Sequence, residues 1–193
     1  MLEITSDDVG RLTDADLREL IVRLCEAELV TAGLPSSALT AGGPQDAPDG
    51  GIDVRVDSSG SIESSGYIPR GKTGFQVKAS PMPPKALVNE MRPGGTLRES
   101  ISDLLGGGGA YVVVCSKASP TDSRLAVVKA AMLQAAGGPD SYPQGLIDFM
   151  GADRVALWCR GHPGVAAWAR QAAGRPTEGW LPYGNWSRPA EGV

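Results

Sequence analysis

The sequence is poor in the residue types that most often build zinc sites and nucleophile relays. It has one histidine, His162, and three cysteines, Cys25, Cys115 and Cys159, that lie far apart in the chain. Because no Cys-x-x-Cys pair is present, a structural zinc site is not expected, and the three thiols are predicted to be reduced core residues. A histidine-based relay is also not expected, since the single imidazole stands just before a proline at a predicted helix start.

Long apolar runs and a surplus of positive charge are lacking as well. No segment approaches the roughly 18 apolar residues that a membrane-spanning helix needs, and the acidic start MLEITSDDVG does not resemble a signal peptide. We therefore expect a soluble, cytoplasmic protein with no membrane partner. The formal net charge is -4. Any contact with nucleic-acid phosphate must then come from a local basic patch or from bound metal ions.

Predicted helices and strands alternate along the chain, which favours an α/β fold with a mixed central sheet flanked by helices. The apolar spacing predicts helices at 13–30, 83–91, 97–105, 123–136 and 165–173, strands at 52–56, 75–79, 110–116 and 154–159, and a helix or short strand at 146–150. Residues 1–179 are predicted to form one domain. Residues 180–193 are predicted to form a tail or a linker to a further domain, and we expect Trp180, Tyr183 and Trp186 to anchor part of it on the body of the domain.

Two of these segments, PDGGIDVRV at 48–56 and GFQVKAS at 74–80, carry polar side chains that suit metal-assisted hydrolysis. Asp53 falls on the polar face of its strand, and Gln76 and Lys78 share one face of the next. If the strands pair, a carboxylate, an amide oxygen and an ammonium meet, and the Val77 carbonyl adds a further oxygen. Such a set can hold Mg²⁺ and position an attacking water. The alternative is that two half-exposed strands have polar outer faces.

At 100° per residue, Glu28 projects from the same face of the first predicted helix as Leu17, Ile21 and Leu24. It therefore lies in the middle of the apolar stripe of that helix. A carboxylate in a buried stripe needs a partner, because burying an unpaired charge is costly. Either a metal ion beside Asp53 or a buried arginine or lysine would supply it.

The order of these features resembles the Mrr-type restriction endonucleases of the PD-(D/E)XK superfamily: a helix with an inward Glu, then D-G-G-x-D-V, then Q-x-K on the next strand. The resemblance implies a restriction-endonuclease-like fold, a Mg²⁺ cofactor for which Mn²⁺ can substitute, and double-stranded DNA as substrate. It assigns metal binding to Asp53, completion of the site to Gln76, orientation of the water to Lys78, and an accessory ligand role to Glu28. Gln76 departs from the usual Glu and removes one negative charge. Asp49 is a rival to Asp53, which we prefer because it falls within the predicted strand.

The chain is also similar to N-terminal domains of larger bacterial proteins of anti-phage defence. This similarity implies an effector nuclease that is controlled by a sensor domain of the same full-length protein and that can form homo-oligomers. A non-catalytic module for nucleic-acid binding or protein interaction, built on the same fold, is the main alternative.

Residues 66–73, GYIPRGKT, match the phosphate-loop pattern of nucleotide-binding proteins. That loop requires a helix directly after it, and a strand is predicted here instead. Because the pattern matches but the predicted structure after it does not, an NTP-binding switch through residues 66–73 is kept only as a second alternative. We expect Arg70 and Lys72 on a loop beside the nuclease site, where they either contact DNA phosphate or are simply solvated.

Overall fold

A computed structural model of the chain describes residues 3–41, 50–59, 62 and 66–175. The predicted tail at 180–193 and the rival acid Asp49 lie outside these described residues. The described helices are α1 (Ser6–Arg11), α2 (Asp14–Thr31), α3 (Pro84–Met91), α4 (Glu99–Gly106), α5 (Asp122–Ala135), α6 (Ala152–Arg160) and α7 (Pro163–Ala172). The strands are β1 (Leu39–Ala41), β2 (Val54–Asp57), β3 (Lys72–Lys78), β4 (Ala110–Cys115) and β5 (Leu146–Gly151), and short 3₁₀ turns occupy Ser36–Ala38 and Pro93–Gly95.

The five strands form one mixed sheet in the order β1-β2-β3-β4-β5. β1, β2 and β3 pair antiparallel, whereas β3, β4 and β5 pair parallel. As a result, the start of β2 and the ends of β3, β4 and β5 share one edge of the sheet, which we call the carboxyl edge. This mixed sheet with its flanking helices confirms the predicted α/β class and is consistent with a restriction-endonuclease-like fold.

Helices cover both faces of the sheet. On one face, apolar residues of α1, α2, α6 and α7 pack with strand residues such as Val54, Phe75 and Val112. On the other, α3, α4 and α5 pack with residues such as Val113 and Phe149. All six residues of β4 are buried, as expected of a central strand in a sheet that is covered on both sides.

The start of α2 is fixed at the carboxyl edge by two side chains. The Thr13 hydroxyl accepts the Asp16 backbone N–H at 3.1 Å, which caps the helix as Thr at this position commonly does. One residue further, the Asp14 carboxylate accepts the Ala79 backbone N–H at 2.7 Å, just after β3 ends. The first predicted helix is therefore confirmed, and its first turn is attached to the strand that carries Gln76 and Lys78.

The prediction of a strand at 154–159 is wrong, because α6 spans this segment. The segment RVALWC is a short continuous apolar run of the kind that favours a buried strand, but its buried residues follow helical spacing. Val155, Ala156 and Cys159 face the core, while Leu157 is 52% exposed. The segment at 146–150, left open between helix and strand, is the strand β5.

The three cysteines are buried and unpaired, which agrees with their prediction as core thiols. Burial raises the pKa of the Cys159 thiol to about 12, so this thiol stays protonated and unreactive at neutral pH.

We expect Leu24→Ala on α2 to lower the free energy of unfolding by about 2–5 kcal/mol, because it leaves a cavity in a fully buried position. The matched control is Val30→Ala on the same helix, where the side chain is 64% exposed. That change should stay within about 0.5 kcal/mol of the parent. Urea unfolding followed by circular dichroism measures both, and equal effects would contradict the described packing of α2.

Candidate active site

Asp53 and Gln76 meet at the carboxyl edge, as the sequence pattern predicts. Asp53 directly precedes β2, and its backbone N–H donates to the Phe75 carbonyl at 2.8 Å, so the strand pairing continues through it. Its carboxylate accepts the Gln76 amide N–H at 3.0 Å and the Val77 backbone N–H at 2.6 Å. Arg18 of α2 donates to the other carboxylate oxygen at 2.8 Å. Asp53 is 3% exposed, and these donors compensate its burial.

Gln76 presents a buried acceptor that lacks a hydrogen bond. The residue is 2% exposed, and its amide nitrogen is used by Asp53. Its Oε1 has no hydrogen-bond partner among the described residues. Leaving a buried acceptor unpaired costs about 1–3 kcal/mol, so such an atom commonly binds an ordered water or an ion. An amide oxygen is also a ligand type that Ca²⁺ and Mg²⁺ accept.

Lys78 lies on the same face of β3 as Gln76, two residues further along the strand. Its ammonium is 3.3 Å from Oε1 of Glu90, which belongs to α3. The guanidinium of Arg98 lies 3.5 Å from the same carboxylate oxygen and also donates, through Nε, to the Glu90 backbone carbonyl at 2.8 Å. The lysine amine is therefore on the side of the sheet where Gln76 contacts Asp53, within a triad of Lys78, Glu90 and Arg98.

Gly51 allows the parts of this cluster to approach each other. Its φ of +84° lies in the left-handed region, which favours glycine. A Cβ at this position would stand 2.6 Å from Cδ of Arg98 and 3.1 Å from Oε1 of Gln76. The second glycine of the D-G-G-x-D motif is thus required both by backbone conformation and by space.

The Tyr111 hydroxyl lies beneath the same cluster. It is buried and has no hydrogen-bond partner in the described part of the chain. Burial raises the pKa of this hydroxyl above its ordinary value, and the charges of Glu90 and Asp53 raise it further, while Arg98 opposes them. The hydroxyl therefore stays protonated, and it lies within electrostatic range of both carboxylates.

The site is locally basic although the whole chain is acidic. Five charged side chains form it, of which three are positive and two negative: Arg18, Lys78, Arg98, Asp53 and Glu90. The net charge of the full sequence is -4.

Glu28 is buried, as predicted, but the structure does not bring it to Asp53. Its carboxylate accepts the indole N–H of Trp158 at 2.8 Å and lies 3.0 Å from Nε2 of His162. Arg18, not Glu28, reaches Asp53 from α2, and the ten helical steps between the two residues span about 15 Å. The prediction of Glu28 as an accessory ligand beside Asp53 is corrected accordingly. Among its contacts are the Trp158 indole and the His162 imidazole, which belong to the helical layer of α6 and α7.

Arg70 and Lys72 are also placed differently from the prediction. Lys72 is the first residue of β3, paired with Asp57 of β2, rather than a loop residue. Lys78 lies six residue steps further along the strand, which corresponds to about 20 Å. Both basic residues therefore lie toward the opposite end of β3 from the site. A strand, not a helix, follows residues 66–73, so the arrangement of a nucleotide-binding phosphate loop is not formed.

Four members of the cluster were missed by sequence reasoning: Arg18, Glu90, Arg98 and Tyr111. For Glu90 a weak signal exists, because it follows the buried Leu87 by three residues and so borders the apolar face of α3. The described residues contain no group of three or more His, Cys, Asp or Glu side chains arranged to hold a metal ion. Any cation here would depend on a mixed set of carboxylate, amide and backbone oxygens.

We expect Gly51→Ala to destabilise the protein more than Gly33→Ala does. Both positions have positive φ, so both pay about 1–2 kcal/mol for a left-handed alanine. Only Gly51 adds a clash with Arg98, since no atom lies within 4 Å of a Cβ at Gly33. Urea unfolding of the two variants measures the difference, and equal losses would show that the tight approach at Gly51 has no energetic weight.

Comparison of the chain with protein-family models, with curated proteins and with solved structures found no match. Among the described helices, none is long and apolar enough to cross a membrane.

Proposed function

We propose that this chain is a Mg²⁺-dependent endodeoxyribonuclease domain that hydrolyses phosphodiester bonds of double-stranded DNA. One observation carries the proposal. Asp53, Gln76 and Lys78 come together at the carboxyl edge of a mixed sheet, and Oε1 of Gln76 is buried there without a partner among the described residues. This edge is where open α/β sheets most often carry their ligand sites.

The residues present fit a hard divalent cation. The Asp53 carboxylate, Oε1 of Gln76 and the backbone carbonyl of Val77 are oxygen donors, and Mg²⁺ is commonly held through one or two carboxylates. Mn²⁺ has similar ligand preferences and can substitute. When bound, such an ion supplies a water of lowered pKa and offsets phosphate charge.

The protein side chains supply positioning and charge. Lys78 donates to the phosphate oxygen on which negative charge develops, an interaction that is strongest in a partly buried site. Arg98 offers a planar guanidinium that suits two phosphate oxygens at once. Arg18 holds the Asp53 carboxylate in one orientation at 2.8 Å. Tyr111 adds a protonated hydroxyl at the base of the cluster.

The proposal extends to the setting of the domain. We place it as the effector of an anti-phage defence system in the cytoplasm, controlled by a sensor domain of the same full-length protein. Cutting both strands of a duplex favours a homo-oligomer, because each site acts on one strand. These points follow from the resemblance to Mrr-type nucleases, and they hold only if the chain has nuclease activity.

The second candidate is a non-catalytic module that binds nucleic acid through the same basic cluster. It is favoured by the substitution of a neutral amide, Gln76, for an acid and by the ion pair that Arg18 forms with Asp53. Both features weaken the attraction of the site for a cation. In this case the wild-type chain would bind plasmid DNA but leave it intact with Mg²⁺ or Mn²⁺.

We expect plasmid cleavage by the wild-type chain to require Mg²⁺ or Mn²⁺ and to stop with EDTA. Asp53→Asn and Lys78→Met should each lower the rate by about 10²–10³-fold, because each removes a charge that acts on the reacting phosphate or its metal. Agarose-gel assays of supercoiled plasmid measure the rates, and circular dichroism checks that each variant is folded.

Lys129→Met is the matched control for the lysine change. Lys129 lies on α5 and pairs with Asp148, away from the cluster, so its loss should leave cleavage unchanged. Full activity of folded Asp53→Asn or Lys78→Met, with an active wild type, would contradict the proposed function.

A further inference from the structure

Of the described residues that we assign to the metal site, one, Asp53, is a carboxylate, whereas such sites frequently use two. Gln76 contributes a neutral oxygen. Glu28, the acid expected to complete the set, is bound instead to Trp158 and His162. Among the described residues, a second acid would have to come from another element that packs against the face of β3 on which Gln76 and Lys78 lie.

That element is α3. It begins six residues after β3 ends and packs back over the sheet through the buried residues Leu87 and Met91. Glu90 lies between them on the helix, and its Oε1 is 3.3 Å from the Lys78 ammonium. The Glu90 side chain is 25% exposed, so its carboxylate is open to ions from solution.

Two independent features connect Glu90 with the buried acceptor of Gln76. The Arg98 guanidinium lies 3.5 Å from the Glu90 carboxylate. Arg98 also packs close to Gln76, because a Cβ added at Gly51 would stand 2.6 Å from the Arg98 side chain and 3.1 Å from Oε1 of Gln76. In addition, the buried Tyr111 hydroxyl feels the charges of both Glu90 and Asp53. Lys78, the ion-pair partner of Glu90, stands two residues from Gln76 on the same face of β3, so Glu90 packs near the Gln76 acceptor oxygen that lacks a hydrogen bond among the described residues.

We infer that Glu90 is the second carboxylate of the divalent-cation site, acting with Asp53 and Gln76. This inference rests on the proposed function. Without substrate, Lys78 and Arg98 hold Glu90 as their shared counter-ion. A divalent ion at Asp53 and Gln76 competes with these two cations for the Glu90 carboxylate, so Glu90 contributes to ion binding without substrate. A phosphodiester that pairs with Lys78 and Arg98 strengthens this contribution, because the partly buried Glu90 carboxylate then needs another positive partner. Substrate and metal thus each favour the binding of the other. The substrate pairs with the two cations that hold Glu90, and the metal pairs with the Glu90 carboxylate.

A simpler role for Glu90 is to position Lys78 by an ion pair. The two roles differ in their effect on metal affinity. A positioning residue changes the reaction rate but leaves the binding of a free ion unchanged, whereas a ligand changes ion affinity directly. The binding of Mn²⁺ alone, without DNA, therefore separates them.

The experiment measures Mn²⁺ binding to the full chain by isothermal titration calorimetry and by the loss of the free Mn²⁺ electron-paramagnetic-resonance signal. We expect Glu90→Gln to weaken Mn²⁺ binding by about tenfold or more, as loss of a coordinating group or its support does. Glu26→Gln is the matched control, because it makes the same chemical change at an exposed position of α2. It should bind Mn²⁺ as the wild type does.

A double-mutant cycle sharpens the test. Lys78→Met removes one of the cations that hold Glu90, so it should strengthen Mn²⁺ binding, and this gain should vanish in Lys78→Met/Glu90→Gln. If Glu90→Gln proves unstable by thermal unfolding, Glu90→Asp keeps the charge but shortens the side chain, and it should also weaken Mn²⁺ binding.

The outcomes are distinct. Unchanged Mn²⁺ affinity in folded Glu90→Gln, together with loss in Asp53→Asn, overturns the role of Glu90 and leaves the proposed function standing. Equal Mn²⁺ affinity in the wild type and Asp53→Asn removes the metal site at Asp53 and overturns both. Weakened binding in Glu90→Gln but not in Glu26→Gln supports the inference.

Discussion

The arrangement of the carboxyl edge depends on one buried carboxylate. Asp53 accepts hydrogen bonds from the Gln76 amide and the Val77 backbone on β3 and from the Arg18 guanidinium on α2. An unpaired charge at 3% exposure would be very costly, so these donors must be in place whenever the fold is complete. The same hydrogen bonds that satisfy Asp53 fix β2, β3 and α2 relative to one another. The groups that we assign to chemistry are thus also a cross-link of the structure.

A second constraint comes from the order of the elements after β3. The chain leaves the end of β3, forms α3 and α4 on one face, and returns as the parallel strand β4. This connection carries Glu90 and Arg98 back over Gln76 and Lys78. The cluster therefore combines residues from a strand and from the crossover that follows it, and its excess of positive charge is local to this edge.

The part of the site that lies on strands was predictable, and the part that comes from tertiary packing was not. Strand periodicity of two places Gln76 and Lys78 on one face, and the structure confirms the convergence of Asp53 with Gln76. Burial of Glu28 was likewise predicted from helical spacing. Its partners Trp158 and His162, however, lie more than 100 positions away in the sequence, and local patterns carry no information about such pairs.

The same limit explains the remaining errors. A short apolar run is compatible with the two-residue period of a strand and with the 3.6-residue period of a helix. The continuous apolar run at 155–159 therefore could not be assigned to α6 from the sequence alone. The polar, glycine-rich sequence before β3 predicts Arg70 and Lys72 on a loop beside the site, only a few residues from Gln76 in the chain. Strand geometry makes that closeness misleading, since an extended chain covers about 3.3 Å per residue. Glu90 and Arg98, which are further along the chain, are nearer to Lys78 in space.

The backbone N–H of Val77 donates to a side chain, the Asp53 carboxylate, that is anchored in turn by Arg18 on α2. Protection of this amide from exchange with solvent therefore reports on the docking of a helix whose sequence is some 50 residues away. Local opening at the carboxyl edge and detachment of the first turn of α2 are then one event rather than two. The carboxyl edge is therefore no more stable against local opening than the docking of α2 on the sheet.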